Sequence, residues 1–424
     1  MQVIEYGNKG EGKTVKRAVV DTGHVMDRVR LIVNAVMERG DCALYDYTGK
    51  FDGYILTGDN IRVAQNEIDE AYSRAGRATI MALKHARRNI KKFHMQQLGS
   101  IRKSWKTKTD EGIEIKSRAV PIESVGCYVP GGRASYPSTV LMTCIPARVC
   151  GVKRIVVVSP PPISDEVLTA AKICGVDEIY RVGGAQAITA LAYGTEKIRP
   201  VDKIIGPGNA YVTAAKMLVY GTVDIDMPAG PSEVLIIADE SANPRFVAAD
   251  ILAQAEHDPN SLCVLATDSR ALCKKVESEI EEQRPKLKRS EIIGKALENF
   301  RVVLTQDIAH AVDFANDYAP EHLEVMTKNP QGVAGKIRNA GAVFIGHYSP
   351  VPAGDYASGG NHVLPTGGAA KFASGLNVTD FLKFTSQQRI TREGLKKIRK
   401  TVTKLAQKEG LDAHARAVEV RFGK

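Results

Sequence analysis

Short β-branched runs alternate with helical stretches from about residue 122 onward, and this alternation constrains the fold more than any other feature of the chain. The run RIVVVS at 154–159 is typical of a buried strand, and the apolar spacing at 165–173 predicts a helix after it. The same alternation recurs between residues 234 and 346. Because strand–helix–strand repetition is typical of doubly wound parallel sheets, the sequence predicts an α/β fold with two incomplete Rossmann-like parallel-sheet domains.

Helical periodicity is predicted on both sides of these arrays. Residues 25–36 and 61–90 carry apolar residues at three- and four-residue spacing, which predicts a helical N-terminal segment, and a basic amphipathic helix is predicted from residue 390. Residues 346–376 are rich in Gly, Pro, Ser and His without periodicity, which is typical of a functional loop. The predicted division is an N-terminal segment at 1–24, a main α/β domain at 25–127 and 235–376, a second α/β domain at 128–234, and a C-terminal helical tail at 377–424.

Composition excludes several classes of protein. The chain has 424 residues, of which 44% are hydrophobic and 25% charged, so wholesale disorder is excluded. No apolar run approaches the ~18 residues of a membrane helix, so no membrane partner is expected. Seven cysteines without a CxxC pair fit a reducing, cytoplasmic location. The net charge is +10, yet only 6% of residues are aromatic and the denser basic stretch falls on a solvated helix face, so no nucleic-acid partner is expected.

A phosphate-loop pattern near the N-terminus suggests an alternative function. Residues 7–14 (GNKGEGKT) match GxxxxGK[ST], the pattern by which an NTPase wraps the phosphates of its nucleotide. The preceding strand would be only about five residues long, and Gly23 follows before a proper helix has formed. A lysine-bearing turn is therefore the preferred interpretation, and a phosphate-loop NTPase is the alternative.

A second glycine turn follows the predicted strand at 203–206. Gly206, Gly208 and Asn209 open a helix, but Tyr211 stands where the third glycine of a dinucleotide fingerprint is required. The standard fingerprint is therefore absent. A glycine turn that leads into a helix N-terminus still offers a pyrophosphate site.

Polar side chains and glycines follow most predicted strands, and ligands of open α/β sheets bind at the carboxyl ends of strands, so we expect the site at that edge. Glu321 and His322 combine a carboxylate that can activate water with a general base that works near neutral pH; an ion pair in a loop is the alternative. Cys127 and Cys150 have no evident base beside them and are interpreted as buried apolar residues rather than as nucleophiles.

A catalytic zinc site is suggested by imidazole and oxygen donors without thiolates. His257 ranks first as a ligand by residue type, although a lone helical histidine is more often structural. Gln254 lies three residues earlier on the same helix face, but by residue type it ranks low as a zinc ligand. The candidate oxygen ligands are Glu256, Asp258 and Asp355.

Four stretches in order resemble the histidinol dehydrogenase family: GPGNAYV at 206–212, VDIDMPAGPSE at 223–233, APEHLE at 319–324 and AGDYASGGNHVLPT at 353–366. The resemblance covers the chain from about residue 20 onward. It implies an NAD-dependent oxidoreductase that converts L-histidinol to L-histidine through L-histidinaldehyde, with one Zn²⁺ per subunit. It also implies a homodimer with shared active sites, in which the C-terminal tail is exchanged.

The same resemblance assigns roles to individual residues. It makes His322 the general base and Glu321 the carboxylate that activates water, both in the main domain. The zinc ligands that it implies are Gln254, His257, Asp355 and His414 of the partner subunit. The implied substrate contacts are these four ligands with Ser232, His322, His362 and Glu409, and the implied NAD contacts, in the second domain, are Tyr128, Gln186 and Asn209.

Overall fold

Fourteen strands in three sheets form the framework of the computed structural model, which describes residues 2–7, 15, 22–131, 135–228 and 230–423. The strands of this described part are β1 (Gln2–Tyr6), β2 (Ser104–Asp110), β3 (Ile113–Pro121), β4 (Ser124–Tyr128), β5 (Arg154–Ser159), β6 (Glu178–Arg181), β7 (Lys203–Ile205), β8 (Asp224–Ile225), β9 (Glu233–Ala238), β10 (Leu262–Thr267), β11 (Arg301–Thr305), β12 (His322–Met326), β13 (Ala342–Ile345) and β14 (Leu382–Ile390).

Helices separate most of these strands. They are α1 (Gly23–Arg39), α2 (Asp41–Asp52), α3 (Gln65–Arg74), α4 (Arg77–Ser100), α5 (Pro137–Cys150), α6 (Asp165–Cys174), α7 (Gly184–Tyr193), α8 (Ala210–Val219), α9 (Pro244–Ala255), α10 (Arg270–Gln283), α11 (Ser290–Leu297), α12 (Ile308–Tyr318), α13 (Pro330–Ala334), α14 (Val351–Tyr356), α15 (Arg392–Lys408) and α16 (Asp412–Glu419). None of the helices in the described part of the chain has the length and apolarity that a membrane crossing requires.

Two of the sheets are entirely parallel. One has six strands in the order β1-β11-β10-β9-β12-β13, and the other has five in the order β6-β5-β4-β7-β8. Apart from β1, both sheets follow one plan, in which the first strand of the array is central, the next two lie on one side and the last two on the other. The predicted α/β fold with parallel sheets is confirmed.

Helices cover both faces of each parallel sheet, which explains why the strands are almost continuously apolar. In β5, Ile155 and Val157 pack against α3–α6, whereas Val156 and Val158 pack against α1, α2, α7 and α8. The six-stranded sheet has α9–α11 on one face and α12 on the other.

The N-terminal helices pack differently from the predicted grouping of the chain. The sequence-based division joins 25–127 to 235–376, but the hydrophobic contacts of α1–α4 are with the five-stranded sheet, and β4 belongs to that sheet as well. An amphipathic helix carries no sequence signal for which of two apolar sheets it will cover. The roles assigned to the two domains stay predictions.

The short strand expected before the phosphate-loop pattern is present, and two segments predicted as helical or left unassigned also form strands. Gln2–Tyr6, in the N-terminal segment, pairs with β11, and β2 with β3 forms a hairpin extended by β14 into an antiparallel sheet. The predicted helical tail is therefore wrong over Leu382–Ile390, while the helix beyond residue 390 is confirmed as α15. β14 is almost wholly exposed and lacks apolar alternation, so its sequence carries little strand signal. Residues 8–14 of the phosphate-loop pattern lie outside the described residues.

Candidate functional site

Glu321 and His322 lie where β12 begins, at the amino edge of the six-stranded sheet. His322 is paired with Val234 of β9 and with Ala342 of β13. Ser232 and the first residue of β9 lie beside them at the same edge. The expectation that the site occupies the carboxyl edge is therefore wrong for this sheet. Glu321 directly precedes β12 and His322 is its first residue, so both lie at this edge.

His322 is held as a neutral base. Its Nδ1 lies 3.1 Å from the backbone carbonyl oxygen of Glu233, and because a carbonyl only accepts, Nδ1 carries the hydrogen. Nε2 is then unprotonated; it is buried, and no hydrogen-bond partner reaches it among the described residues. Burial lowers the pKa of His322, which keeps the ring neutral. A free lone pair in a buried site suits Nε2 to accept a proton from a bound substrate.

Glu321 is fixed beside this imidazole. Its Oε2 accepts hydrogen bonds from Ser232 Oγ at 2.8 Å and from the backbone N–H of Glu233 at 2.9 Å, and it lies 3.6 Å from His322 Nδ1. Burial raises the pKa of the Glu321 carboxyl to about 8, against the effect of these two hydrogen bonds. A carboxyl group with this pKa exchanges protons near neutral pH, as a water-activating base must.

Asp355 approaches from the short helix α14. Its Oδ1 lies 3.9 Å from His322 Nε2, and burial raises the pKa of Asp355 to about 6. His362 Nδ1 donates to the backbone carbonyl of Asp355 at 3.2 Å. A Cβ at Gly354 would lie 2.6 Å from the ring of Phe344, so only glycine lets α14 come this close to β13.

Gln254 and His257 lie at the end of α9. Gln254 is 2% exposed, and neither its Oε1 nor its Nε2 has a partner among the described residues. A buried amide without hydrogen bonds is costly, so this side chain is placed to receive a ligand. Burial, together with the charges of the nearby His322 and His257, lowers the pKa of His362 to about 4.

The predicted metal ligands are of residue types that bind divalent cations. Within the described ranges, no three His, Cys, Asp or Glu side chains are grouped to hold a metal. Of the predicted zinc ligands, a single chain contributes one histidine, His257, and one carboxylate, Asp355. Gln254 of the same chain adds an unpaired amide oxygen. Imidazole, carboxylate and amide donors with one position left open suit a catalytic rather than a structural zinc site.

The structure does not bring every predicted residue to this site within one chain. His414 and Glu409 are exposed on the C-terminal tail, where α16 packs against α15. No described hydrogen bond or ion pair joins either residue to the other predicted ligands. Asp258, a candidate from residue type, instead accepts from Asn260 N–H in a turn.

Tyr128 and Asn209 lie at the carboxyl edge of the five-stranded sheet. Tyr128 ends β4 and Asn209 follows β7, and strand order reverses between these neighbouring strands. Tyr128 Oη accepts from the Gly184 N–H at 3.2 Å, and burial raises the pKa of Tyr128 to about 12. Gly206 has a φ of +119°, and a Cβ there would lie 2.2 Å from the carbonyl oxygen of Tyr128. Only glycine allows these strand ends to meet.

The side-chain oxygens of Asn209 and Gln186 differ in whether they already accept a hydrogen bond. Asn209 caps α8, since its Oδ1 accepts from the N–H groups of Tyr211 and Val212 at 3.0 and 3.2 Å. Gln186 is 1% exposed, and its Oε1 has no partner among the described residues. Gln186 therefore retains an acceptor for a ligand, whereas the Asn209 oxygen already serves the helix.

A buried ion pair that sequence reasoning missed holds the Gly206 turn. Lys216 and Asp226 are paired, and each side chain is 2% exposed. Asp226 Oδ2 accepts from Gly206 N–H at 2.8 Å, while Lys216 Nζ donates to the carbonyls of Gly206 and Met227, both at 3.1 Å. The sequence signal that could have indicated this pair is the single lysine in the otherwise apolar helix AYVTAAKMLV.

Comparison with known proteins identifies the family of this chain. The family profile described as histidinol dehydrogenase matches residues 15–422. The histidinol dehydrogenase of Methanothermobacter thermautotrophicus is 52% identical, covering 100% of this chain and 99% of that protein, and that of Heliobacterium mobile is 48% identical, with both fully covered. The crystal structure of histidinol dehydrogenase from Elizabethkingia anophelis superposes with a TM-score of 0.92 at 41% identity, covering 100% of this chain and 98% of that one. The chain therefore belongs to the histidinol dehydrogenase family and is a dehydrogenase.

Proposed function

We propose that this enzyme oxidises L-histidinol to L-histidine in two successive NAD-linked steps, through L-histidinaldehyde. One observation carries the proposal: the buried His322 has an unpaired Nε2, and the Nδ1 of the same ring lies 3.6 Å from the Glu321 carboxyl. An alcohol oxidation needs a base for the hydroxyl proton, and an aldehyde oxidation needs water to be added first. The pair provides one group for each need.

His322 serves the first step. Its Nε2 accepts the hydroxyl proton of the substrate, and the hydrogen bond from Nδ1 to the Glu233 carbonyl holds the ring in this tautomer and stabilises the charge that forms. Burial keeps the imidazole neutral before the step, so the base is ready at neutral pH.

Glu321 serves the second step. The two hydrogen bonds to Oε2 leave Oε1 to take a proton from water as the water adds to the aldehyde carbon. As the water adds, protonated His322 returns its proton to the carbonyl oxygen. The neutral hydrate that results can then lose a hydroxyl proton to His322, as the alcohol did. Ser232, which holds Glu321, and His362, which is anchored to the Asp355 carbonyl, are proposed substrate contacts together with Glu409.

Gln254, His257 and Asp355 would hold one Zn²⁺ per subunit, together with His414 of the partner subunit. When bound, the metal ion would fix the position of the substrate, and NAD would accept one hydride in each step. The unpaired amide of Gln254 supports this ligand set, because an amide oxygen buried without a hydrogen bond requires a partner.

NAD is proposed to bind along Tyr128, Gln186 and Asn209. The strand order of the five-stranded sheet supports an incomplete Rossmann-like unit, whose nucleotide site lies where strand order reverses. The helix α8 begins at this edge, and its N-terminal N–H groups favour a pyrophosphate.

A cytoplasmic homodimer with shared active sites completes the proposal. Exposure of β14, Glu409 and His414 supports a tail that covers the site of a second subunit. On this basis His414→Ala lowers zinc affinity by at least about tenfold, because it removes one ligand from each shared site. A full zinc complement at limiting metal in the purified variant would contradict the exchange.

The proposed function is tested by stoichiometry. Zinc-loaded enzyme is mixed with L-histidinol and excess NAD, and NADH absorbance is followed with histidine analysis; we expect two NADH for each histidine formed. No NADH, or one NADH with the aldehyde as end product, contradicts the proposal. Lys13→Ala is the control for the phosphate-loop alternative, since an NTPase would lose nucleotide binding whereas this dehydrogenase keeps its activity.

A further inference from the structure

Two carboxyl side chains lie next to the active site, Glu324 buried and Asp250 half-buried, and the proposed reaction does not use them. Glu324 follows His322 by two positions in β12, so both side chains share one face of the sheet, about 7 Å apart along the strand. Asp250 precedes Gln254 by four positions in α9, so these two share one face of the helix. Glu324 is 1% exposed, and Asp250 is hydrogen-bonded to it. The pair thus lies one layer beneath the site.

One proton is shared between these carboxyl groups. Glu324 Oε2 is buried, and no N–H or hydroxyl group of the described residues reaches it, which leaves the Asp250 carboxyl as its partner. Two carboxylates in contact in an apolar interior do not both carry charge. Burial raises the pKa of Asp250 to about 6 and that of Glu324 well above its ordinary value, which favours a pair that carries one proton.

The other oxygen of Glu324 holds the start of α14. Glu324 Oε1 accepts from the Val351 N–H at 2.8 Å. The residue before this helix is Pro350, whose side chain cannot cap, so Glu324 supplies the acceptor that a helix start requires. Asp355 lies one turn further along the same helix, 3.9 Å from His322 Nε2.

We propose that Asp250 and Glu324 are positioning residues, whose hydrogen-bonded pair ties α9 and α14 to β12 and thereby sets Gln254 and Asp355 against His322. The assignment rests on the proposed function, in which these three residues work together. Apolar side chains of the same volume would stabilise the fold as well as a buried polar pair does. Apolar side chains, however, could not accept the hydrogen bond from the Val351 N–H.

Glu324→Gln and Glu324→Leu separate positioning from packing. The glutamine amide donates to Asp250 while its oxygen accepts from Val351, so this variant should keep zinc affinity and kcat within about threefold. In the leucine variant, we expect the amide hydrogens of 351–356 to exchange at least about tenfold faster, Zn²⁺ affinity to fall by about tenfold, and kcat to fall by up to about 100-fold. The KM for NAD should not change, because the proposed NAD residues lie on the other sheet.

Two outcomes overturn the proposal: a leucine variant with unchanged amide exchange and zinc affinity, or a glutamine variant as impaired as the leucine variant. If Glu324→Leu does not fold, Asp250→Ala decides, since it should weaken Zn²⁺ binding while the Val351 amide stays protected; unchanged zinc affinity then contradicts the proposal. Amide exchange and titration with Zn²⁺ alone need no turnover. A wild-type enzyme that fails to oxidise L-histidinol therefore refutes the proposed function without deciding the role of this pair.

Discussion

The two parallel sheets share one strand order, yet their candidate sites lie at opposite edges. In the five-stranded sheet, Tyr128 and the Gly206 turn occupy the carboxyl edge, where strand order reverses. In the six-stranded sheet, Glu321 and His322 occupy the amino edge. Strand order alone therefore does not locate a site. A nucleotide needs helix N-termini, which follow the carboxyl ends of strands, whereas an acid–base pair needs only side chains that converge.

The connection between the sheets explains how opposite edges can serve one reaction. β8 ends at Ile225 and β9 begins at Glu233, so the chain leaves the carboxyl edge of one sheet and enters the amino edge of the other within seven residues. Seven residues span at most about 25 Å. The two edges are therefore at most about 25 Å apart at this connection, and the proposed reaction requires them to face one cleft.

Removing the base should have the largest effect of any single change. We expect His322→Asn to lower kcat by about 1,000-fold, because asparagine cannot accept the proton and general-base catalysis contributes about 10²–10⁴-fold. Zinc content should remain, since His322 is not a proposed ligand. NADH formation and metal analysis of the purified variant measure both. Turnover close to that of the wild type would show that the amino edge is not the catalytic one.

Gly206→Ala tests the carboxyl edge of the other sheet. The added Cβ would lie 2.2 Å from the Tyr128 carbonyl oxygen, so the turn must move and the KM for NAD should rise by about 10–100-fold. Gly221→Ala is the matched control, because Gly221 also has a positive φ of +101° but has open space around a Cβ. Equal NAD kinetics in both variants would contradict the placement of NAD at this turn.

Gly354→Ala tests the amino edge of the six-stranded sheet, again by adding a Cβ where there is no space for one. The new Cβ would lie 2.6 Å from the Phe344 ring and displace α14 with Asp355, so zinc affinity should fall by about tenfold while the KM for NAD stays constant. Gly360→Ala is the control in the same loop, since no atom lies within 4 Å of a Cβ there. If the substitution changed the KM for NAD and left zinc affinity unchanged, the placement of the zinc site at the amino edge would be contradicted.

The pH dependence of the second oxidation should show the smallest effect. Glu321 acts as a base only when deprotonated, and burial raises its pKa to about 8, so the active form increases as pH rises. Oxidation of L-histidinaldehyde should therefore increase by up to about tenfold between pH 7 and pH 9. Glu321→Gln should be slow and flat over this range. A wild-type rate that falls with rising pH would contradict the role of Glu321.

Prediction from sequence succeeded where the physical signal is local. β5 and β9 are continuous apolar runs, and both were predicted, because buried parallel strands require such runs. β14 was missed, since its residues are exposed and its pairing with β3 supplies the structure. β1 matches the strand of about five residues considered before the phosphate-loop pattern, and it pairs with β11 at the edge of the sheet.

The site was predictable in part for the same reason. The chemistry of Glu321 and His322 is evident from residue types, whereas Gln254 ranks low by type and entered through the family resemblance alone. Its unpaired amide is a property of the folded protein. The pairs Lys216–Asp226 and Asp250–Glu324 form across elements, so neither spacing nor composition reveals them.

A crystal structure of the zinc-loaded enzyme with L-histidinol and NAD tests the two-edge arrangement most directly. We predict the substrate hydroxyl within hydrogen-bond distance of His322 Nε2, and the NAD pyrophosphate at the turn that contains Gly206 and Asn209. A substrate bound at the carboxyl edge of the six-stranded sheet, or NAD bound away from the end of β4, would contradict it.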